Sequence, residues 1–257
     1  AFIGSVGGAY TTFDYAADGF ATATTGLRGL NDAGWATGFA QDATGAGRAF
    51  RRSPGGVINT LINPSTGQPL DFIAQGINST GAIVGSYFTP TGRRGYELSS
   101  DGSTLTTLAG PAGANRTDAR GINDSGTVVG FYRDGAFLFH GFVYDLAKGS
   151  YATLDNPLGV EGTFLTGINN AGMIVGSFND IAFNSHAFVY DPATSKFSTI
   201  EPLGATNSAA YQISNLGAIT LQSDTGSFIY APVPEPGSMA LLAAGLFAVV
   251  TAARRRR

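Results

Sequence analysis

Cysteine is absent from all 257 residues, which excludes disulfides, thiolate nucleophiles and Cys-ligated zinc or iron–sulfur sites. Charge is scarce: Asp, Glu, Lys and Arg make up 13% of the chain, against roughly 25% in an average soluble domain. Exposed positions must therefore be filled mainly by Gly, Ser, Thr and Asn. Histidine occurs twice and tryptophan once. No window keeps apolar residues at i, i+3, i+4 and i+7 for three turns, so the body is not expected to be helical. Also missing are Gly-x-Ser-x-Gly, His-Glu-x-x-His and Gly-x-x-x-x-Gly-Lys-Ser/Thr, the marks of a nucleophile elbow, a zinc-protease helix and a phosphate loop.

The charge that is present is unevenly spread. Without Glu235 and the four terminal arginines, the body has eleven basic and seventeen acidic residues, a net −6. It lacks the basic footprint of a nucleic-acid binder, and neither a nucleic-acid partner nor a cofactor is expected. Residues 1–9 hold no charged n-region and no long apolar stretch, so a signal peptide is expected upstream of Ala1 or already removed.

Glycine is abundant, with 37 residues, and it marks an internal repeat. Gly29-Leu30-Asn31-Asp32-Ala33-Gly34 returns as Gly76-Ile77-Asn78-Ser79-Thr80-Gly81, Gly121-Ile122-Asn123-Asp124-Ser125-Gly126 and Gly167-Ile168-Asn169-Asn170-Ala171-Gly172, with a degenerate copy at Gln212-Ile213-Ser214-Asn215-Leu216-Gly217. The apolar residue of the motif recurs in steps of 47, 45, 46 and 45, a period shared by four-stranded propeller blades and helical-pair solenoids. Short β-branched and aromatic runs between Gly, Asn, Asp and Pro decide for strands. The Asn-x-x-Gly piece predicts a hairpin turn in which Asn bonds its own backbone and Gly takes positive φ.

The expected fold is all-β, a five-bladed β-propeller of four-stranded repeats over residues 1–231, with an open β-solenoid as the alternative. Units are expected near 10–55, 56–102, 103–149, 150–195 and 196–231. If each blade starts instead at the Gly-Ile-Asn strand, a strand near Tyr10–Phe13 is expected to complete the last sheet and clasp the ring.

Histidine-based chemistry is the first functional candidate. His140 and His186 lie 46 residues apart, and the same step back reaches Arg94 and then Arg48. A residue encoded once per repeat reads first as structural; the functional reading is a ring of basic and imidazole groups that holds anionic ligands such as uronic acids. Asp14, Asp155 and Glu201 follow opening strands and suggest an acid–base pair across the channel, set against the simpler reading of solvated strand ends. Tyr87, Phe88, Phe131, Tyr132 and Phe178 are core residues or, where they face outward, platforms for sugar rings. Asn78-Ser79-Thr80 and Asn123-Asp124-Ser125 match a glycosylation triplet but lie in the repeat turn. The Asn-Asp turns supply too few oxygens for calcium, and no metal is expected.

The last residues form an address. Val233-Pro234-Glu235-Pro236 precedes an apolar run from Met239 to Ala253, and the chain stops at Arg254-Arg255-Arg256-Arg257. As a helix the run would be about 22 Å long, short of a ~30 Å hydrocarbon core, with the arginines expected on the cytoplasmic side. This order resembles the PEP-CTERM sorting signal of Gram-negative bacteria that make exopolysaccharide. The resemblance implies recognition by an exosortase, removal of a C-terminal hydrophobic helix, and release or attachment at the cell surface. The body resembles HAF-type extracellular repeats through His186-Ala187-Phe188, a family that implies location and fold but no reaction. The expected role is an exported binding or scaffold module for exopolysaccharide or partner proteins; the alternatives are a propeller-type glycan hydrolase or lyase and a purely structural matrix protein.

Overall fold

The computed structural model describes residues 1–4, 9–16, 19–71 and 73–231. The C-terminal helix expected over 232–257 lies outside the described residues. Among the described residues every regular element is a strand.

Five antiparallel sheets follow one another along the chain. The first holds β3 (Thr22–Leu30), β4 (Ala36–Asp42), β5 (Gly47–Arg52) and β6 (Ile58–Thr60); the second holds β7 (Ile73–Ile77), β8 (Ile83–Thr89), β9 (Gly92–Leu98) and β10 (Leu105–Leu108). The third comprises β11 (Arg116–Ile122), β12 (Thr127–Arg133), β13 (Phe139–Asp145) and β14 (Ser150–Thr153); the fourth comprises β15 (Thr163–Ile168), β16 (Ile174–Asn179), β17 (Ser185–Asp191) and β18 (Lys196–Thr199). The last has three strands, β19 (Ser208–Ile213), β20 (Ile219–Ser223) and β21 (Gly226–Tyr230). The first strand of each sheet packs on the first strand of the next, and Gln212 Nε2 donates to Arg28 O at 3.5 Å to join the last sheet to the first. The arrangement is a closed five-bladed β-propeller, not an open solenoid.

The repeat motif builds both the turn and the joint. Asn31, Asn78, Asn123 and Asn169 each use Oδ1 to accept the backbone N–H four residues on, at 2.9–3.0 Å. The closing glycines, Gly34, Gly81, Gly126 and Gly172, have φ between 78° and 92° as the turn requires. Each of these buried amides then donates across the blade boundary to the carbonyl of the equivalent residue: Asn31 to Asn78 O at 2.8 Å, and Asn78, Asn123 and Asn169 to the next at 3.2 Å. The circuit closes where Asn215 Nδ2 reaches Asp32 Oδ2 at 3.0 Å. Both glycosylation triplets therefore have their asparagine buried and committed.

The leading glycine of the motif serves the axis. A Cβ on Gly121 would lie 3.2 Å from Gly167 Cα, and one on Gly76 would lie 2.8 Å from Arg120 O. These neighbours are backbone atoms and cannot move aside. Between the blades, small apolar cores form; one gathers Val84, Leu108, Val128 and Phe142, another Leu165, Ile174, Phe178 and Phe188.

The expected clasp by Tyr10–Phe13 does not form. β2 (Tyr10–Thr12) pairs instead with β1 (Phe2–Gly4), with Phe2 opposite Thr12 and its ring edge-on to Tyr10 at 5.7 Å. Pairing two segments a few residues apart costs far less closure entropy than joining the chain ends. The segment that follows is also apolar: Phe13 and Phe20 pack beside buried Tyr15, Ala40 and Phe50 on the first blade.

The amide ladder yields a test. Ser214 takes the asparagine position in the last sheet and still accepts Ala218 N–H at 3.0 Å. Asn123→Ser should keep the turn but lose the reach to Asn169, lowering stability by about 1 kcal/mol, whereas Asn123→Ala should cost ~2–3 kcal/mol by stripping the Thr127 N–H as well. Denaturant midpoints measure both. A serine variant as stable as the parent would remove the inter-blade bond from this account.

Candidate functional site

The four repeat-encoded residues occupy one position, near the start of the third strand of successive sheets. Register sets Arg48 opposite Ala40, Arg94 opposite Tyr87, His140 opposite Tyr132 and His186 opposite Phe178. They are spread around the propeller rather than drawn into one cluster. Arg48 lies over the Phe20 ring at 4.7 Å and bonds Gly47 O; Arg94 bonds Arg93 O.

The histidines have richer surroundings. Each stacks on its cross-strand aromatic, His140 on Tyr132 at 5.1 Å and His186 on Phe178 at 5.0 Å. Each is also bridged by two carboxylates. His140 Nδ1 meets Asp155 at 2.7 Å and Nε2 meets Asp134 at 3.4 Å. His186 Nδ1 meets Glu201 at 2.5 Å and Nε2 meets Asp180 at 3.1 Å. Asp155 and Glu201 are thus held on separate histidines of different blades and do not form an acid–base pair. Asp14 is exposed beside the N-terminal amine, 3.8 Å away.

Asp134 and Asp180 were not singled out from the sequence, although Asp134-Gly135-Ala136-Phe137 and Asp180-Ile181-Ala182-Phe183 repeat at the same 46-residue step. One oxygen of each carboxylate caps its hairpin: Asp180 Oδ1 accepts Ala182 N–H at 2.8 Å and Asn184 N–H at 2.9 Å. The other oxygen holds the histidine. This tight turn drives Phe137 and Phe183 to φ of 71° and 63°, a left-handed conformation that is strained for a bulky residue. Their rings are 68% and 69% exposed, so they are outward aromatics. Of the five aromatics left open between core and surface, Phe131, Tyr132 and Phe178 are buried, Tyr87 is half-buried and Phe88 is largely exposed; Tyr132 and Phe178 enter the inter-blade cores.

Beside His186 lies a cavity of about 500 Å³, bounded by Asp180, Glu201, Leu158, Val160 and Ile181. A second, of about 410 Å³, is lined by Arg48, Phe20, Asn59 and Thr60 at the corresponding place on the first blade. The repeat position therefore borders a cavity in two blades, a cation in one and an imidazole between carboxylates in the other. Among the described residues no group of His, Asp and Glu is arranged to hold a metal ion.

Residues 232–257 match the PEP-CTERM protein-sorting motif. The match takes in Val233, Pro234, Glu235, Pro236 and Arg254, Arg255, Arg256 and Arg257, all outside the described residues. The motif marks an exported protein that an exosortase-type enzyme processes. No curated protein matches the chain's sequence. In shape the chain is similar to TolB from Acinetobacter baumannii, with a TM-score of 0.55 and 12% identity over 82% of this chain. The chain spans about 55% of the length of TolB. It is also similar to the Aleuria aurantia lectin, whose fold is described as a six-bladed β-propeller, with a TM-score of 0.45 and 12% identity over 78% of this chain and 72% of the lectin. At such identity the likeness is one of fold.

Electrostatics at the histidines follow from the bridges. Partial burial opposes the charge on His186, but its hydrogen bonds to Asp180 and Glu201 outweigh it and raise the pKa above 6.5. His140 behaves likewise through Asp155 and Asp134. His186 in turn draws Asp180 down from 3.8 to about 2. The histidine bridge should contribute fully below the unfolded value of 6.5 and fade as pH rises through the higher folded value. The aspartate contribution should hold above 3.8 and fade as pH falls toward about 2. NMR titration of His186 should give a midpoint above 6.5 that drops in Asp180→Asn and Glu201→Gln. A midpoint unmoved in both variants would mean that the carboxylates do not set it.

Proposed function

We propose that the protein is an exported binding or scaffold module of the cell surface or extracellular matrix, delivered by exosortase-dependent sorting of its C-terminal tail. The single observation that carries this reading is the match of residues 232–257 to the PEP-CTERM sorting motif. In this reading Val233–Pro236 is the recognition site, the run before Arg254–Arg257 is a transient inner-membrane anchor with its arginines cytoplasmic, and the repeats are HAF-type extracellular repeats that stay outside.

The ligand of this module is exopolysaccharide or a surface protein, engaged at the repeat-encoded positions Arg48, Arg94, His140 and His186. At His186 an apolar wall of Leu158, Val160 and Ile181 faces the Asp180 and Glu201 carboxylates. Such a surface suits a sugar, which offers one apolar ring face and hydroxyl donors. Two carboxylates also disfavour an anionic group there, so hydroxyl-rich rather than acidic residues are the preferred occupants of this cavity. Both nitrogens of His186 are engaged by carboxylates, which supports binding over proton transfer.

Two measurements test the reading. In a bacterium with an exosortase, the full chain should reach the surface or medium shortened by its tail, while a chain ending at Ala231 should lose that destination. Identical destinations for both would overturn the sorting. In a pull-down on neutral exopolysaccharide, Glu201→Gln should weaken retention roughly tenfold, as expected for one charged hydrogen bond; unchanged retention would overturn the rim site.

A further inference from the structure

The inner strand of every blade carries a one-residue irregularity. The ladder shifts between Leu27 and Gly29, Ala74 and Gly76, Ala119 and Gly121, Leu165 and Gly167, and Ala210 and Gln212. The extra residues are Arg28, Gln75, Arg120, Thr166 and Tyr211, each immediately before the axial glycine or its Gln212 counterpart. A bulge re-aims one side chain without breaking the strand, and here it does so five times around one axis. The scaffold needs the bulge but not any one residue in it, since five different blades close with four residue types.

Two of the five are arginines, and they come with a partner. Arg28 lies over the Phe39 ring and Arg120 over the Phe131 ring, both at 5.0 Å. Phe39 and Phe131 directly follow Gly38 and Gly130 on the second strand. In the second and fourth blades, where the bulge holds Gln75 and Thr166, that place is taken by Ser86 and Ser177. Arginine and its aromatic shelf therefore appear together or not at all.

Around Arg120 the charge does not balance. Asp118, fully buried, pairs with Arg93 and, at 2.7 Å, with Arg116. Arg120 has its Nε buried with no hydrogen-bond partner among the described residues. Burial lowers its pKa, and although Asp118 acts against this, Arg116 and Arg28 lower it further. Arg93 is lowered to about 10 by burial, with Asp118 opposing and Arg116 and Arg120 adding to the fall. Other carboxylates at this end of the inner strands are occupied: Asp32 by Asn215, and Asp124 by Ser79 N–H and Asn170. Three guanidinium groups, Arg93, Arg116 and Arg120, thus draw on one carboxylate, and Arg28 adds its charge beside Arg120. The cluster is open to solvent, with Arg116 30% exposed and Tyr211 50% exposed.

We infer that the bulge arginines Arg28 and Arg120, backed by Arg93 and Arg116, form an axial site for an oxyanion, a carboxylate or sulfate group carried free or on an acidic glycan. Guanidinium forks recognise planar or tetrahedral oxyanions by paired N–H donors, and the excess positive charge supplies the attraction. Tyr211 and Gln75, at the same level of neighbouring strands, add neutral donors. This site is separate from the rim cavity, prefers the opposite charge, and does not depend on the sorting reading.

The test uses the full chain in mild detergent. Sodium sulfate and sodium glucuronate should each raise the thermal midpoint above that in sodium chloride of equal ionic strength. Arg28→Gln, a change at an exposed position, should weaken either anion, and Arg28→Gln with Arg120→Gln should weaken it roughly tenfold or more. Arg51→Gln, a change of a half-buried arginine bonded to Ser100 O, should leave binding intact. To remain independent of variant folding, the arginine Nε–Hε spectrum of the parent protein should show one buried signal shifting with sulfate. A polyuronate retained by the parent but not by Arg28→Gln would identify the glycan as the carrier; sulfate binding without polyuronate retention would identify a free anion. No sulfate or glucuronate effect beyond chloride in the parent, or an effect undiminished in Arg28→Gln, would overturn the site.

Discussion

The ring depends on a single amide used twice. Each repeat asparagine spends its oxygen on its own hairpin and its nitrogen on the next blade. A turn residue is thereby also the fastener between neighbouring sheets. Each hydrogen bond contributes only about 1 kcal/mol net, but it is made at four boundaries, with Asn215 and Asp32 bonded at the fifth, and sits where inner-strand backbones touch across glycine. A blade of some 46 residues cannot bury both faces of its sheet alone, so the cost of losing the joint is the exposure of two apolar faces as well as one bond. The ladder sets blade spacing, and blade spacing sets the width of the axis.

Once those few positions are fixed, the remainder of each repeat is free to differ, and the differences locate function better than the shared residues do. The third-strand position runs Arg, Arg, His, His; the bulge position runs Arg, Gln, Arg, Thr, Tyr. In the first set the histidines face carboxylates, while Arg48 and Arg94 bond backbone carbonyls, and Arg48 and His186 each border a cavity. The second places two arginines on the inner strands, with Arg120 beside the buried Asp118 that Arg93 and Arg116 already bind. A propeller whose blades were interchangeable would need neither pattern.

All-β architecture, five units and the Asn turn were legible because they are written within one repeat, as period, residue type and a glycine at positive φ. The direction of the Asn31 amide was not legible, since hairpin chemistry accounts for the residue completely and the contact to Asn78 crosses 47 residues. The strand at Tyr10 was misplaced because its pairing with Phe2–Gly4 rests on nearness in the chain, while a repeat comparison sees only the unfilled edge of the last sheet. Asp134 and Asp180 left a signal, a repeated Asp-x-Ala-Phe, but carboxylates near a turn are explained by the turn. The bulges left none, because an inserted residue in a strand carries no mark until its partner strand is known. Only then do Arg28 and Arg120 become equivalent positions.

The surface sorts its charges by place: carboxylates flank imidazoles at the rim, and guanidinium groups crowd the axis, in a body whose net charge is negative. An apo site that holds like charges together lowers stability, and a ligand that neutralises them restores it in proportion to its binding. Asp118 meets part of that repulsion and no second acid is supplied among the described residues, although Ser86 and Ser177 occupy second-strand places beside the axis where an acid would balance the charge. Sequence variation that removes the arginine also removes the aromatic beneath it, leaving serine in the second and fourth blades and Gln222 in the fifth. The imbalance is therefore centred on blades that carry the full pair, with Arg93 reaching in from the second blade, as expected when the missing negative charge arrives from outside the chain.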